Sequence, residues 1–198
     1  MTLRVEAAHV AIDIRRALAI PGWMEPFELQ WLAEMASVSR TVIEVGAWKG
    51  RSTRVLADHC PGTVYVVDNW CDASERQDLR NQELLDRGPT QIEADWHSNL
   101  RDHELEGRVV LVRGHSPAMA PIVYRQAGGV DLAFIDADHN FEGVVNDIEA
   151  YRSIVTPGGI LAGHDYTTTV HPGVRKAVDF IFGREAHQGP GSIWWVRV

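Results

Sequence analysis

Apolar residues recur along the chain in two alternating patterns, and the alternation predicts a sheet whose strands are separated by helices. Five short runs, Thr41-Val42-Ile43-Glu44-Val45, Thr63-Val64-Tyr65-Val66-Val67, Val109-Val110-Leu111-Val112, Val130-Asp131-Leu132-Ala133-Phe134-Ile135 and Ile160-Leu161-Ala162, have the length and near-continuous apolarity of strands buried on both faces. Between them the spacing turns helical: Leu29, Leu32, Ala33 and Ala36 after Pro26, then Val55 and Leu56, then Ile92, Trp96 and Leu100. Val144, Ile148, Tyr151 and Val155, and later Val174, Ala177, Val178 and Ile181, continue it. Val10, Ile14, Ala17 and Leu18 predict a leading helix that ends at Pro21-Gly22, and Trp23 and Met24 in the break after it are expected in the core, with the mouth of a pocket as the alternative. Thr90-Gln91-Ile92-Glu93 reads as a capping box, Pro157-Gly158-Gly159 as the turn into the fifth strand. Ile193-Trp194-Trp195-Val196 reads as an antiparallel edge strand, in a hairpin with a short strand near 185–187. Strands alternating with helices mean an α/β fold with a mostly parallel sheet. The expectation is one domain over 1–198, with N-terminal helices in 1–40 and a charge-rich insertion over the site at 72–88.

Composition narrows the classes. A chain of 198 residues suits a single core, and 45% hydrophobic with 23% charged residues is ordinary for a soluble globular protein. No apolar run approaches the ~20 residues of a membrane span, and the start carries no signal-peptide core, so the cytoplasm is expected. A net charge of −8 argues against a nucleic-acid track. Cys60 and Cys71 lack metal or redox spacing and are expected to be reduced thiols without a role.

The chemistry gathers where strands end. Residues 41–52 read strand, glycine turn, helix, which directs backbone N–H groups at a ligand. Gly46 and Gly50 are spaced G-x-x-x-G rather than G-x-G-x-x-G, so a dinucleotide's pyrophosphate would meet Ala47 and Trp48. Glu44 adds negative charge that favours a ligand bearing a sulfonium. Asp68 ends the second strand about 20 residues after Gly46, where a carboxylate accepts both ribose hydroxyls in doubly wound folds. His115 and Ser116, after the third strand, are placed to reach an adenine. In a parallel sheet all these ends lie on one edge, so Gly46, Asp68, His115, Asp136, His139, His164 and Asp165 converge. Asp136, His164 and Asp165 supply oxygen and nitrogen donors from adjacent strands, suited to a divalent cation with open positions.

At this level the chain resembles the class I S-adenosylmethionine-dependent methyltransferases from about residue 41 onward. Glu44-Val45-Gly46-Ala47-Trp48-Lys49-Gly50-Arg51-Ser52 is similar to their first motif, Asp68 to their ribose acid, and Pro157-Gly158-Gly159 to their post-helix turn. Phe134-Ile135-Asp136-Ala137-Asp138-His139, with Gly163-His164-Asp165-Tyr166, resembles the small-molecule O-methyltransferases of the catechol, caffeoyl-CoA, antibiotic and sugar types. The resemblance implies a Rossmann-like three-layer sandwich with a seven-stranded sheet, order 3-2-1-4-5-7-6. It also implies a cofactor site formed by Glu44, Gly46, Ala47, Trp48, Gly50, Ser52, Asp68, Asn69, Trp70, His115, Ser116 and Asp136. In catechol-type enzymes an aspartate at position 136 and an Asp-Asn pair at 164 and 165 hold magnesium, and a lysine at 139 takes the substrate proton. His164 in place of an oxygen donor moves the preference toward manganese or another transition ion. His139 remains a plausible base with an ordinary pKa much nearer neutrality, so Asp136 and His139 are the catalytic candidates. The implied acceptor is a hydroxyl of a small molecule, and a homodimer is compatible. The rival classes are an NAD(P)-dependent oxidoreductase and a non-catalytic adenosyl-binding protein.

Overall fold

The computed structural model describes residues 11–70, 83, 86–102 and 105–198. Val10, Cys71 and nearly all of the charge-rich 72–88 stretch lie outside the described residues. Two helices lead, α1 (Arg15–Leu18) and α2 (Pro26–Ser37). Five strand–helix steps follow: β1 (Thr41–Val45), α3 (Arg51–His59), β2 (Thr63–Asp68), α4 (Pro89–Asn99), β3 (Val109–Arg113), α5 (Ser116–Ala127), β4 (Val130–Ile135), α6 (Phe141–Arg152), β5 (Val155–Gly163) and α7 (Pro172–Phe182). A short 3-10 turn (Gly183–Glu185) and the strands β6 (His187–Gln188) and β7 (Trp194–Arg197) complete the chain. The seven strands pair in the order 3-2-1-4-5-7-6, with β1 to β5 parallel and β7 antiparallel to both neighbours.

Period-two alternation divides the strand residues between two apolar layers. Val42, Val64, Val66, Leu132 and Phe134 pack with Leu29, Leu32, Ala33, Ala36, Val55 and Leu56 of α2 and α3. Ile43, Val45, Val67, Ala133 and Ile135 face the opposite way, against Val123, Val144, Ile148, Tyr151, Ala177 and Val178 of α5 to α7. Both stripes expected of α2 and α7 are thus in contact with the sheet. Among the described residues, no helix is long and apolar enough to cross a membrane.

Several local expectations change. α4 opens at Pro89 behind a Gly88 of positive φ, with no side-chain cap, so Thr90 lies inside the first turn rather than capping it. Proline suits that first position because its missing N–H would have no helical partner. Pro157-Gly158-Gly159 lies inside β5: the register jumps from Val130↔Val155 to Leu132↔Ile160, so these residues form a bulge. Val155 accordingly belongs to β5 and not to α6. β7 is an interior strand between β5 and β6, and the two-residue β6 is the edge. Met24 is buried, whereas Trp23 is 48% exposed.

Strand hydrogen bonding runs one residue past the strand ends and fixes the site loops. Gly46 N donates to Val67 O (2.9 Å), Asp136 N to Val45 O (2.7 Å), Gly114 N to Asp68 O (3.1 Å) and His164 N to Ile135 O (3.1 Å). Gly46 has a φ of +89°, and a Cβ there would lie 2.1 Å from the Asp136 carbonyl oxygen. Gly46→Ala therefore combines a left-handed backbone with a collision against main chain that cannot move independently. Urea denaturation is expected to show a loss of at least ~2 kcal/mol, and a near-wild-type midpoint would refute this account of the close approach.

Candidate active site

One cavity of about 1350 Å³ opens along the carboxyl edge of β1, β4 and β5. Its floor is the β1–α3 loop, with Gly46, Ala47, Trp48 and Lys49 leading to Arg51 and Ser52 at the start of α3. Trp48 sits at a φ of +49°, a strained position for a bulky residue. Two partners hold it there: Trp48 N donates to Asp68 Oδ2 (3.0 Å), and Trp48 O accepts from Trp70 Nε1 (2.8 Å). Ala47 N reaches the same Asp68 oxygen (2.7 Å), and Trp70 N donates to Asp68 Oδ1 (2.7 Å). Asp68 thus anchors the loop by accepting main-chain donors. Trp70 is buried, edge-on to Trp96.

The second wall comes from β4 and β5. Asp136, His139, His164 and Asp165 all line the cavity. His139 Nε2 lies 2.9 Å from Asp165 Oδ2 and 3.7 Å from Asp136 Oδ1. His164 Nδ1 lies 3.4 Å from Asp165 Oδ1, and its Nε2 is 3.1 Å from Glu28 Oε1. Asp165 itself has a φ of +64°. Glu28, buried on α2, also accepts Ser192 N (2.7 Å) and Glu25 N (2.7 Å), the latter closing a capping box at the start of α2. Ligand atoms of Asp136, His164 and Asp165 lie within 4.8 Å of one another, as do those of His139, Asp165 and His171.

Of the residues expected to meet a cofactor, Gly46, Ala47, Trp48, Ser52 and Asp136 line this cavity, and Glu44, Gly50, Asp68, Asn69, Trp70, His115 and Ser116 lie outside its described lining. Ser116 begins α5 behind His115, and its hydroxyl donates to the buried Asp147, so it does not cap the helix. Trp23 takes the pocket-mouth alternative, exposed on the rim, whereas Glu28, His171 and the exposed rim residue Phe27 join the site without having been expected there.

Residues 43–166 match the family model described as "Methyltransferase domain". The chain belongs to this methyltransferase family. A protein of Acanthamoeba polyphaga mimivirus, described as uncharacterized, is 24% identical over 144 residues, covering 70% of this chain and 59% of that protein. The chain therefore spans less than two thirds of that curated relative. Among solved structures, an O-methyltransferase from Bacillus cereus in complex with SAH superposes with a TM-score of 0.63 at 19% identity, over 92% of this chain and 86% of that one. TomG from Streptomyces achromogenes, an O-methyltransferase of tomaymycin synthesis in complex with SAM, gives 0.63 at 17% identity, over 94% and 87%. The methyltransferase family expected from the first motif, and the seven-stranded fold that the resemblance implies, are borne out.

Electrostatics in the methyltransferase domain divide the buried acids into two kinds. Burial raises the Glu28 and Asp165 carboxyls, but neighbours win: His164 and Ser192 N–H hold Glu28 low, and His139 and His164 hold Asp165 well below the carboxylate range. Burial pulls His164 down, yet Asp165, Glu28 and Asp136 outweigh it and raise the imidazole to about 10. Glu44 behaves oppositely. It shares the parity of Val42, points into the α3 layer, accepts from Thr53 Oγ1, and is fully buried. Burial pushes its carboxyl up to about 8, with Asp136 and Asp68 adding to the rise and Ser52 and Thr53 opposing it. Glu44 therefore faces the α3 layer, outside the cavity's described lining, with its carboxyl held well above the ordinary range.

Its titration has a stability consequence. The unfolded carboxyl loses its proton near 4.5 and the folded one near 8, so across that window the folded state binds the extra proton. Stability from this group falls as pH rises. Glu44→Gln, which cannot titrate, should gain on the wild type between about pH 5 and pH 8, by roughly 1.4 kcal/mol for each pH unit of mismatch. Parallel pH profiles of the two proteins in urea titrations would contradict a neutral Glu44.

Proposed function

We propose that the protein is an S-adenosylmethionine-dependent O-methyltransferase acting on a hydroxyl of a small molecule. The observation that carries this is a single cavity joining the glycine loop to the His139–Asp165 pair. At about 1350 Å³ it exceeds the ~300–1,000 Å³ typical of one small ligand, leaving room for a cofactor and an acceptor together. When bound, S-adenosylmethionine supplies an electrophilic methyl on a sulfonium. The chain's tasks are then to orient the acceptor oxygen in line with that methyl and to remove its proton.

The loop fixed by Asp68 offers backbone at Gly46 to Trp48 and the start of α3 to the cofactor, with Asp68, Asn69 and Trp70 supporting the ribose end. His139 receives the hydroxyl proton, and Asp165, 2.9 Å from Nε2, stabilises the imidazolium that forms. Trp23 and Trp48, ring centroids 5.8 Å apart, give the acceptor side an aromatic wall. The donor set of Asp136, His164 and Asp165 fits a divalent ion of manganese or magnesium type, which would lower the acceptor hydroxyl's pKa. His164 would offer it Nδ1, since Nε2 faces Glu28. This reading has the enzyme in the cytoplasm, with a diffusible acceptor.

Three measurements test it. Asp68→Ala should weaken S-adenosylhomocysteine binding by about 1.5–3 kcal/mol in calorimetry, because both the loop's anchor and a charged acceptor are lost; unchanged affinity removes Asp68 from the cofactor site. His139→Ala should depress turnover while cofactor affinity stays within about twofold, and a wild-type rate would dismiss His139 as the base. Chelation followed by elemental analysis should abolish methyl transfer to catechol, flavonoid or sugar acceptors, with Mn²⁺ or Mg²⁺ restoring it; full activity without metal sinks the ion's role. Tight cofactor binding with no transfer to any acceptor would favour a non-catalytic binding protein.

A further inference from the structure

Asp165 turns its two oxygens toward two different histidines. Oδ1 lies 3.4 Å from His164 Nδ1, within the group completed by Asp136. Oδ2 lies 2.9 Å from His139 Nε2, within a separate group completed by His171. In this second group the ligand atoms are all within 4.8 Å of one another, and the His139 and His171 rings stack with centroids 4.1 Å apart and planes at 28°.

Backbone contacts enforce the arrangement. A Cβ at Gly173 would lie 2.3 Å from His139 O and 2.8 Å from Phe141 N, so the first turn of α7 presses directly on the loop after β4 and carries His171 to His139. Asp165 is held from the β5 side, where Tyr166 N donates to Ser192 O (2.9 Å). All three residues line the cavity, which leaves coordination positions open to solvent or ligand.

The donors decide which ion fits. Magnesium wants an octahedron of oxygens, whereas two imidazoles and one carboxylate suit zinc and other first-row transition ions. We propose that His139, His171 and Asp165 form a second metal site, selective for a transition ion such as Zn²⁺, sharing Asp165 with the Asp136–His164 group. The site stands on these three residues alone and does not depend on the methyl-transfer reading. Where that reading also holds, Zn²⁺ here engages the imidazole that should accept the substrate proton, and so should inhibit.

The probe is Co²⁺, titrated into the whole protein in excess Mg²⁺ and followed by its ligand-field absorption. One equivalent is expected to bind and to be displaced by Zn²⁺. His171→Ala and the milder His171→Asn should weaken Co²⁺ at least about tenfold more than Asp136→Ala does. In the unmodified protein, where misfolding of a variant cannot intervene, Co²⁺ should shift the NMR signals of the His139 and His171 imidazoles. Binding that survives both His171 variants, equal loss in Asp136→Ala, or unshifted His139 and His171 signals at saturating Co²⁺ would each overturn the proposal. Calorimetry with S-adenosylhomocysteine on the same variants reports separately on the cofactor reading.

Discussion

The close approach of the turns at the carboxyl ends of β1 and β4 is the constraint from which the site follows. These strands are neighbours in space but far apart in sequence, and each turns away from the sheet at its carboxyl end, opening a crevice. The two turns touch through bare main chain, Gly46 against the Asp136 carbonyl, so the glycine loop and Asp136 are set at a fixed separation. Everything farther out is placed relative to that contact: Asp68 and Trp70 hold the loop on one side, and β5 brings His164 and Asp165 alongside on the other.

Burial then separates acids that look alike in the chain. At Glu44, Asp68 and Asp147 burial outweighs the hydrogen-bond donors around them and the carboxyls are raised, whereas Glu28 and Asp165 meet imidazoles and are lowered. The difference comes from partners, not from depth alone. His164, set between Glu28 and Asp165, makes the β5 side of the cavity a chain of contacting polar side chains, while the loop side is built from backbone dipoles and aromatic rings.

Strand-by-strand periodicity was sufficient for the helices and the five parallel strands, because both layers bury regular apolar stripes. The sheet order needed the motif resemblance, since periodicity says nothing about which strands pair. Pro157-Gly158-Gly159 was ambiguous for a physical reason: a turn and a bulge both need residues that leave the ladder. The direction of Glu44 is legible in its parity, two residues from Val42 and therefore on the α3 face. The strand-end residues Asp136, His139, His164 and Asp165 were legible as a set because parallel topology alone brings such ends together. Glu28 and His171 were not, for their places in the site arise from tertiary docking that no local spacing marks.

Glu28 has a consequence for how divisible this fold is. The segment that matches the methyltransferase family begins at residue 43, yet the carboxylate that orients His164 and ties down Ser192 stands on α2, ahead of it. A family core cut at that boundary would keep every strand-end residue and lose the group that steadies one of them. Chemistry and architecture are therefore not separate modules here: recombination with a foreign N-terminal segment would keep the strand-end side chains while removing the carboxylate that stands against His164.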